Sequence, residues 1–257
     1  MFLETTSLPK GIKYLLFANV GFYIILRITG LYALGIDALS LVPERVFYGF
    51  QIWRLFTYLF IHISFFWHLL FNVFSLWMFG PSIERHMGMP RFLFYYFLTG
   101  ICGALFAVFL SPSSYMPVVG CSASILGLLV AFAVFFPDAV ITLLFPPVSM
   151  KAKHFALIIG ALQFLMIFES QSGINWPVHL GGMAIGYIYL RYFMNMGIIV
   201  NFSRLQEKFI QRKKEEREEF IKEKLDPILD KISKYGIESL SWSEKQILKK
   251  AHYKVKK

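Results

Sequence analysis

A serine, two histidines and an asparagine lie in apolar stretches of this sequence, and together they could carry out nucleophilic catalysis. Ser122 lies near the start of the run GCSASILGLLVAFAVFF, and His179 lies near the start of another apolar run. A serine hydroxyl paired with a histidine base is a minimal unit for attack on a carbonyl carbon. The resulting oxyanion needs preset hydrogen-bond donors, which the side chains of His68 and Asn72 and a backbone N–H at a helix start could supply.

Each of these residues also has a plainer explanation. Small residues let membrane helices pack closely, and a serine among them can bond to a neighbouring carbonyl. An asparagine can join two helices by hydrogen bonding, and the spacing Gly182-x-x-x-Gly186 is itself a close-packing pattern. Ionisable side chains inside membranes are usually functional, however. If these four polar groups lie at the same depth, as the order of the helices predicts below, a catalytic site is favoured over simple packing.

Two other kinds of catalytic site do not fit the sequence. The string His-Glu-x-x-His of metalloproteases does not occur. The aspartates all lie outside the apolar runs, which excludes an aspartyl pair within the membrane; they are Asp37, Asp138, Asp226 and Asp230. No carboxylate is evident to orient His179, so the sequence predicts a Ser–His dyad in which packing orients the imidazole.

The composition indicates a membrane protein with a charged tail. The chain of 257 residues is 56% hydrophobic, contains 28 Phe and has a mean hydropathy of +0.56, far from the values of a soluble domain. Of its 26 Lys and Arg residues, 16 lie after residue 195. We therefore expect an apolar membrane domain over residues 1–196 and a charged tail over residues 197–257.

Continuous apolar runs predict six spanning helices, because a helix needs about 20 apolar residues to cross a bilayer. The runs cover residues 12–34, 63–80, 91–110, 120–136, 154–169 and 176–195. They are continuous and not alternating, which favours helices over a barrel. The predicted fold class is an all-α polytopic membrane protein.

The positions of lysine and arginine orient these spans. Lys10 and Lys13 flank the first span. Arg85 and Arg91 lie between the second and third spans, and Lys151 and Lys153 lie between the fourth and fifth. The tail is also basic. The positive-inside rule places these regions, and so both termini, in the cytoplasm.

The second, fourth and sixth spans then run from outside to inside, which brings the four polar residues to one depth. At about 1.5 Å of rise per residue, Ser122, His179 and His68 lie within roughly 10 Å of their helix starts, and Asn72 lies one turn further along. His68 and Asn72 are four residues apart and share a helix face. The remaining histidines lie at span edges or in the tail, where we expect them to be interfacial or solvated: His62, His86, His154 and His252.

The charged tail predicts a small cytoplasmic helical hairpin. Residues 203–224 have the pattern of a charged, solvated helix, which Pro227 interrupts. Gly236 suits a helix C-terminus, and Ser241 with Glu244 suits a capping box that starts a second helix.

Five motifs, in order along residues 50–192, resemble those of rhomboid intramembrane serine proteases. They are WRLFTYLFIH (53–62), HLLFN (68–72), ERHMGMPRFLFYYFLTG (84–100), GCSASILG (120–127) and HLGGMAIG (179–186). The tail resembles a short C-terminal module attached to some bacterial rhomboids.

The resemblance implies a six-transmembrane-helix rhomboid-like bundle in which Ser122 is the nucleophile and His179 the general base. It implies that His68, Asn72 and the Ser122 amide are oxyanion donors. It also implies that Trp53 and Arg54 belong to a loop that lies partly in the outer leaflet. Ala123 stands where the family often has glycine, and we expect only a modest effect on packing.

The same resemblance implies the partners and the location. The family cleaves transmembrane protein substrates near the outer membrane boundary and uses no metal or cofactor. We expect a multi-pass protein of a bacterial plasma (inner) membrane, with the lipid bilayer as its environment and no nucleic-acid partner.

Two rival interpretations belong to other functional classes. The first is a catalytically inert relative that holds membrane clients, and the joint presence of Ser122, His179, His68 and Asn72 argues against it. The second is a small transporter whose polar groups bind a solute. Transporters often carry a pair of interrupted helices in matching halves of the chain, and no such pair is evident here.

Overall fold

The protein is mostly helical in the computed structural model, which describes residues 7–62, 66–143, 147–166, 175–194, 211–212, 215 and 218–255. The chain divides into two compact units, Met1–Ile199 and Val200–Lys257. In the first unit the helices are α1 (Lys10–Ile28), α2 (Tyr32–Leu39), α3 (Pro43–Phe47), α4 (Arg54–Thr57), α5 (Phe66–Met87), α6 (Met89–Leu110), α7 (Ser122–Phe135), α8 (Ala152–Leu165) and α9 (Asn175–Ile188).

The first predicted span differs from the structure. The run 12–34 was expected to form one helix, but α1 ends at Ile28 and α2 begins at Tyr32. Gly30 lies between them with a φ of 70°. This left-handed conformation suits glycine and ends the helix, although the surrounding run is mostly apolar.

The long helices differ in how readily each could cross a bilayer. Within the described residues, α1 and α6 are long and apolar enough to do so, whereas α7 and α8 are shorter apolar helices. A helix of 14 residues such as α7 is only about 21 Å long at 1.5 Å per residue.

A two-stranded antiparallel hairpin between α7 and α8 corrects the prediction of an entirely helical chain. Its strands are β1 (Val140–Leu143) and β2 (Val148–Lys151), with Val140 opposite Lys151. The sequence Val-Ile-Thr-Leu is rich in β-branched residues, which favour strands, and Ile141 packs into the core.

Ion pairs close the base of this hairpin. The Nζ atoms of Lys151 and Lys153 each lie 3.0 Å from Oδ1 of Asp138. The hydrogen bonds donated by these two lysines lower the pKa of the exposed Asp138 carboxyl below its ordinary value.

Glycines allow α9 to pack directly against α6 and α7. A Cβ added at Gly182 would lie 2.6 Å from the Ala123 carbonyl oxygen on α7, and one at Gly186 would lie 2.6 Å from the Tyr95 hydroxyl on α6. Both are closer than real Cβ contacts. The predicted close-packing role of the Gly182-x-x-x-Gly186 spacing is confirmed.

The buried carboxylate of Glu84, near the end of α5, holds the N-terminus of α1. The backbone N–H groups of Gly11 and Ile12 donate to its two oxygens, both at 2.8 Å. The first N–H groups of a helix have no partner within the helix, and a negative charge is favourable there. The contact fixes the start of α1 beside the end of α5.

The segment between α1 and α5 is held by side chains that cap the C-terminal end of α2. Arg54, which is 2% exposed, donates from Nη1 to the Ser40 carbonyl at 2.7 Å and from Nη2 to the Asp37 carbonyl at 2.6 Å. Trp53 donates from its indole to the Ala38 carbonyl at 3.1 Å. These donors satisfy carbonyls that the end of a helix leaves unpaired.

Among the described residues of the second unit, the two longest helices are α10 (Asp226–Tyr235) and α11 (Trp242–Val255). Gly236 ends α10 with a φ of 78°. Both hydrogen bonds of the predicted capping box are present: Ser241 N–H donates to Glu244 Oε2 at 2.7 Å, and Glu244 N–H donates to Ser241 Oγ at 3.3 Å.

An ion pair joins the two tail helices, because Lys231 Nζ lies 2.9 Å from Glu244 Oε1. The hydrogen bonds from Ser241 and Lys231 lower the pKa of Glu244 to about 2. Much of the predicted charged helix at 203–224 lies outside the described residues; of its last part, residues 218–220 and Ile221–Leu225 are helical.

Candidate active site

Ser122 and His179 meet where α7 and α9 begin. The Oγ atom of Ser122 lies 2.7 Å from Nε2 of His179, which is hydrogen-bonding distance, and both residues are half-buried. Ser122 is the first residue of α7, and His179 lies in the second turn of α9. The contact of Gly182 with Ala123 brings these two helix starts together.

A third side chain contacts the imidazole on its other nitrogen. Oε1 of Gln163, on α8, lies 2.8 Å from Nδ1 of His179. An amide oxygen can only accept a hydrogen bond, so Nδ1 carries the proton in this arrangement. In a neutral imidazole Nε2 is then unprotonated, and it accepts the hydrogen bond that the Ser122 hydroxyl donates.

The prediction that packing alone orients His179 is therefore incomplete. A signal for the missing partner exists in the sequence, because Gln163 is the only polar side chain in the apolar run FALIIGALQFLM (155–166). Polar side chains inside apolar spans commonly bond to a neighbouring helix. Sequence position does not say which helix that is.

His68 and Asn72 lie against the backbone that leads into Ser122. A Cβ added at Gly120 would lie 2.7 Å from Cε1 of His68 and 3.4 Å from Nδ2 of Asn72. Gly120 also has a φ of 99°, a conformation that favours glycine. The four predicted residues therefore gather around residues 120–122.

Asn72 presents a buried donor that is unused. The residue is 6% exposed, and among the described residues its Nδ2 has no hydrogen-bond partner. Leaving a buried donor unpaired typically costs about 1–3 kcal/mol. A further donor is available next to it, because the N–H of Ser122 belongs to the first turn of α7, where N–H groups have no acceptor within the helix.

Backbone hydrogen bonds from the segment before α5 hold residues 118–120, which lead into Ser122. The N–H of Gly120 donates to the Tyr58 carbonyl at 2.9 Å. Leu41 and Val118 exchange two backbone hydrogen bonds of 2.9 and 2.8 Å in an isolated antiparallel bridge. Leu41 and Tyr58 thus hold the chain just before the serine.

The expectation that His62 is interfacial or solvated is wrong. His62 is 1% exposed; its ring centroid lies 5.4 Å from that of His68, and its Nε2 lies 3.9 Å from Sγ of Cys121. The chain turns inward after a short helical turn at Tyr58–Phe60, so the residue at the apparent edge of the span packs into the core. His86 and His154 are exposed, as expected, and the side chain of His252 lies outside the described residues.

Two other side chains close to Ser122 in the sequence, Ser124 and Cys121, are buried in the protein core. Ser124 is fully buried, and its hydroxyl lies beside Gly100 on α6. Cys121 is 1% exposed and belongs to the core. In the part of the chain that the structure describes, no three His, Cys, Asp or Glu side chains are grouped so that they could hold a metal ion.

Comparison with known proteins gives matches to both parts of the chain. The family described as "Rhomboid domain" matches residues 49–196, and a "Family of unknown function (DUF6576)" matches residues 205–251.

Individual relatives match the membrane part. The chain is 35% identical over 137 residues to "Putative rhomboid protease YdcA" of Bacillus subtilis (strain 168), which is 53% of this chain and 64% of that protein. It is 30% identical over 128 residues to "Rhomboid protein 1, mitochondrial" of Saccharomyces cerevisiae, covering 48% of this chain and 37% of the relative. It is 30% identical over 135 residues to "Rhomboid protease AarA" of Providencia stuartii, covering 46% and 48%. The chain thus spans less than two thirds of the length of these relatives.

Proposed function

Because the chain belongs to the rhomboid family, we propose that it is an intramembrane serine endopeptidase that cleaves transmembrane proteins near the outer boundary of the bilayer. The observation that carries this proposal is the 2.7 Å contact between Ser122 Oγ and His179 Nε2. The names of two relatives, "Putative rhomboid protease YdcA" and "Rhomboid protease AarA", support it.

In the first half of the reaction Ser122 acts as the nucleophile. Its Oγ attacks the carbonyl carbon of the scissile peptide bond while His179 Nε2 takes the hydroxyl proton. The tetrahedral intermediate then collapses and the C–N bond breaks. The imidazolium of His179 returns the proton to the leaving amine, which leaves an acyl group on Ser122.

The oxyanion of the tetrahedral intermediate is stabilised by donors that are already in place. Three donors lie around the start of α7 and suit this role: the amide of Asn72, the ring of His68 and the backbone N–H of Ser122. The unpartnered Nδ2 of Asn72 is a donor held ready for charge that develops only during the reaction. In the second half a water molecule, activated by His179, hydrolyses the acyl-enzyme by the same steps.

We also propose a six-span membrane domain over residues 1–196 and a cytoplasmic tail over residues 197–257. The spans are α1 and α5 to α9, and both termini are cytoplasmic in a bacterial inner membrane. Glu84 fixes the start of α1 beside the end of α5, where Lys10 and Arg85 lie. The bridge from Leu41 to Val118 joins two segments that the positive-inside rule assigns to the outer side.

A cysteine-accessibility experiment tests this topology. Single cysteines replace the exposed Ser113 and, in the tail, Leu205, and sealed inside-out vesicles are treated with a membrane-impermeant thiol reagent. We expect labelling at residue 205 and not at residue 113, because the tail is basic and residues 111–119 carry no Lys or Arg. The parent chain, with Cys102 and Cys121, gives the background. Labelling of both introduced cysteines from the same side contradicts the six-span count.

A serine-reactive fluorophosphonate probe separates the protease from its rivals. We expect the purified chain to be labelled at Ser122, since a hydroxyl hydrogen-bonded to an unprotonated imidazole is an activated nucleophile. Peptide mapping of the modified residue is the measurement. An inert client-binding relative or a transporter has no need of a reactive serine, so the absence of labelling in folded protein supports those alternatives and contradicts the protease.

A further inference from the structure

We propose that Gln163 is a positioning residue that holds His179 in the tautomer and orientation needed for catalysis, an inference that rests on the proposed function. This proposal rests on the 2.8 Å contact between Gln163 Oε1 and His179 Nδ1. The contact lies on the opposite side of the ring from the 2.7 Å contact between His179 Nε2 and Ser122 Oγ. The three side chains form a continuous chain of hydrogen bonds across α8, α9 and α7.

The amide oxygen selects one of the two neutral forms of the imidazole. As an acceptor it requires the proton on Nδ1, which leaves Nε2 free to take the proton of Ser122. When Nε2 takes that proton, the ring becomes an imidazolium. The hydrogen bond from Nδ1 to Gln163 is then charge-assisted and becomes stronger in the transition state than in the ground state.

The packing of α8 indicates that this contact is the reason for a polar residue at position 163. Gln163 is half-buried, whereas its neighbours Leu162 and Phe164 are 49% and 55% exposed. α8 approaches α9 at Gly160, where an added Cβ would lie 3.3 Å from Cε of Met183. The Gln163 amide therefore faces α9 among apolar residues that face outward.

A set of matched variants tests the inference. Gln163→Met keeps the length of the side chain but removes the acceptor, and Gln163→Glu keeps an acceptor at the same reach. Leu162→Met is the control on the exposed side of the same helix. The assay is cleavage of a transmembrane reporter by the full chain in detergent, together with the melting temperature and the rate of fluorophosphonate labelling at Ser122.

We expect Gln163→Met to lower kcat by about 10- to 100-fold, the effect of losing a hydrogen bond to a charged group. KM and the melting temperature should stay unchanged, because the bond acts on the imidazolium and not on substrate binding. The labelling rate should fall with kcat. Gln163→Glu should restore most of kcat, and Leu162→Met should behave as the parent.

Two results would overturn the positioning role. One is an unchanged kcat and labelling rate in Gln163→Met. The other is an equal loss in the Met and Glu variants that accompanies a lower melting temperature, which indicates a structural role. If Gln163→Met does not fold, Gln163→Asn takes its place: its amide is one carbon shorter and cannot reach Nδ1, so the same loss of kcat is expected.

Failure of this inference can be told apart from failure of the proposed function. If the parent cleaves, Ser122→Ala does not and Gln163→Met is fully active, only the role of Gln163 is contradicted. If the folded parent neither cleaves the reporter nor is labelled, the proposed protease is contradicted, and the positioning role with it.

Discussion

Replacing Ser122 by alanine should abolish cleavage of a membrane-spanning reporter, and replacing His179 by alanine should do the same. The serine supplies the bond-forming oxygen, and the histidine takes its proton across a 2.7 Å contact. Because the two residues act as one unit, the double variant should be about as inactive as either single variant. The measurement is turnover of the reporter per folded, purified protein.

The chain offers a close control for this pair. Ser124 lies two residues after Ser122, but it is fully buried beside Gly100 and away from His179. Ser124→Ala should therefore keep the activity of the parent, while Ser122→Ala removes it. Substantial cleavage by either purified single variant of the pair would remove the assignment of the dyad.

Replacing Asn72 by alanine should weaken catalysis without ending it. Loss of one oxyanion donor typically lowers kcat by about 10²–10³, or roughly 3–4 kcal/mol in the activation barrier. The N–H of Ser122 and the side chain of His68 would still act, so measurable cleavage should remain. KM should hardly change, because the donor acts on charge that develops only in the transition state.

A second buried asparagine serves as a control, because its hydrogen bond is structural and takes no part in the proposed catalysis. Asn19, on α1, is 1% exposed, and its Nδ2 donates to the Leu15 carbonyl at 2.7 Å. Asn19→Ala should lower the melting temperature and leave kcat of the folded protein intact. If Asn72→Ala behaves in that way, with full kcat and a lower melting temperature, Asn72 is structural and the oxyanion role is wrong.

The mostly helical character of the membrane part and the clustering of its polar residues could both be predicted from local patterns in the sequence. A continuous apolar run must satisfy its backbone within one segment, so it can be interpreted as a helix without knowledge of its neighbours. The 3.6-residue period likewise places His68 and Asn72 on one face. The capping box of Ser241 and Glu244 was also predictable, since both partners lie within one helical turn.

The direction in which a single side chain faces, and the partner that it meets, depend on how the helices pack. Gln163 and His179 are on different helices, and the contact depends on how α8 and α9 are rotated against each other. The sequence places His62 at the edge of a span, but in the structure it is buried in the core. It follows the segment that Arg54 holds against the end of α2 by a hydrogen bond to the Ser40 carbonyl. Such contacts join residues far apart in the chain, and the hydrophobic pattern records that a face is buried without recording what it is buried against.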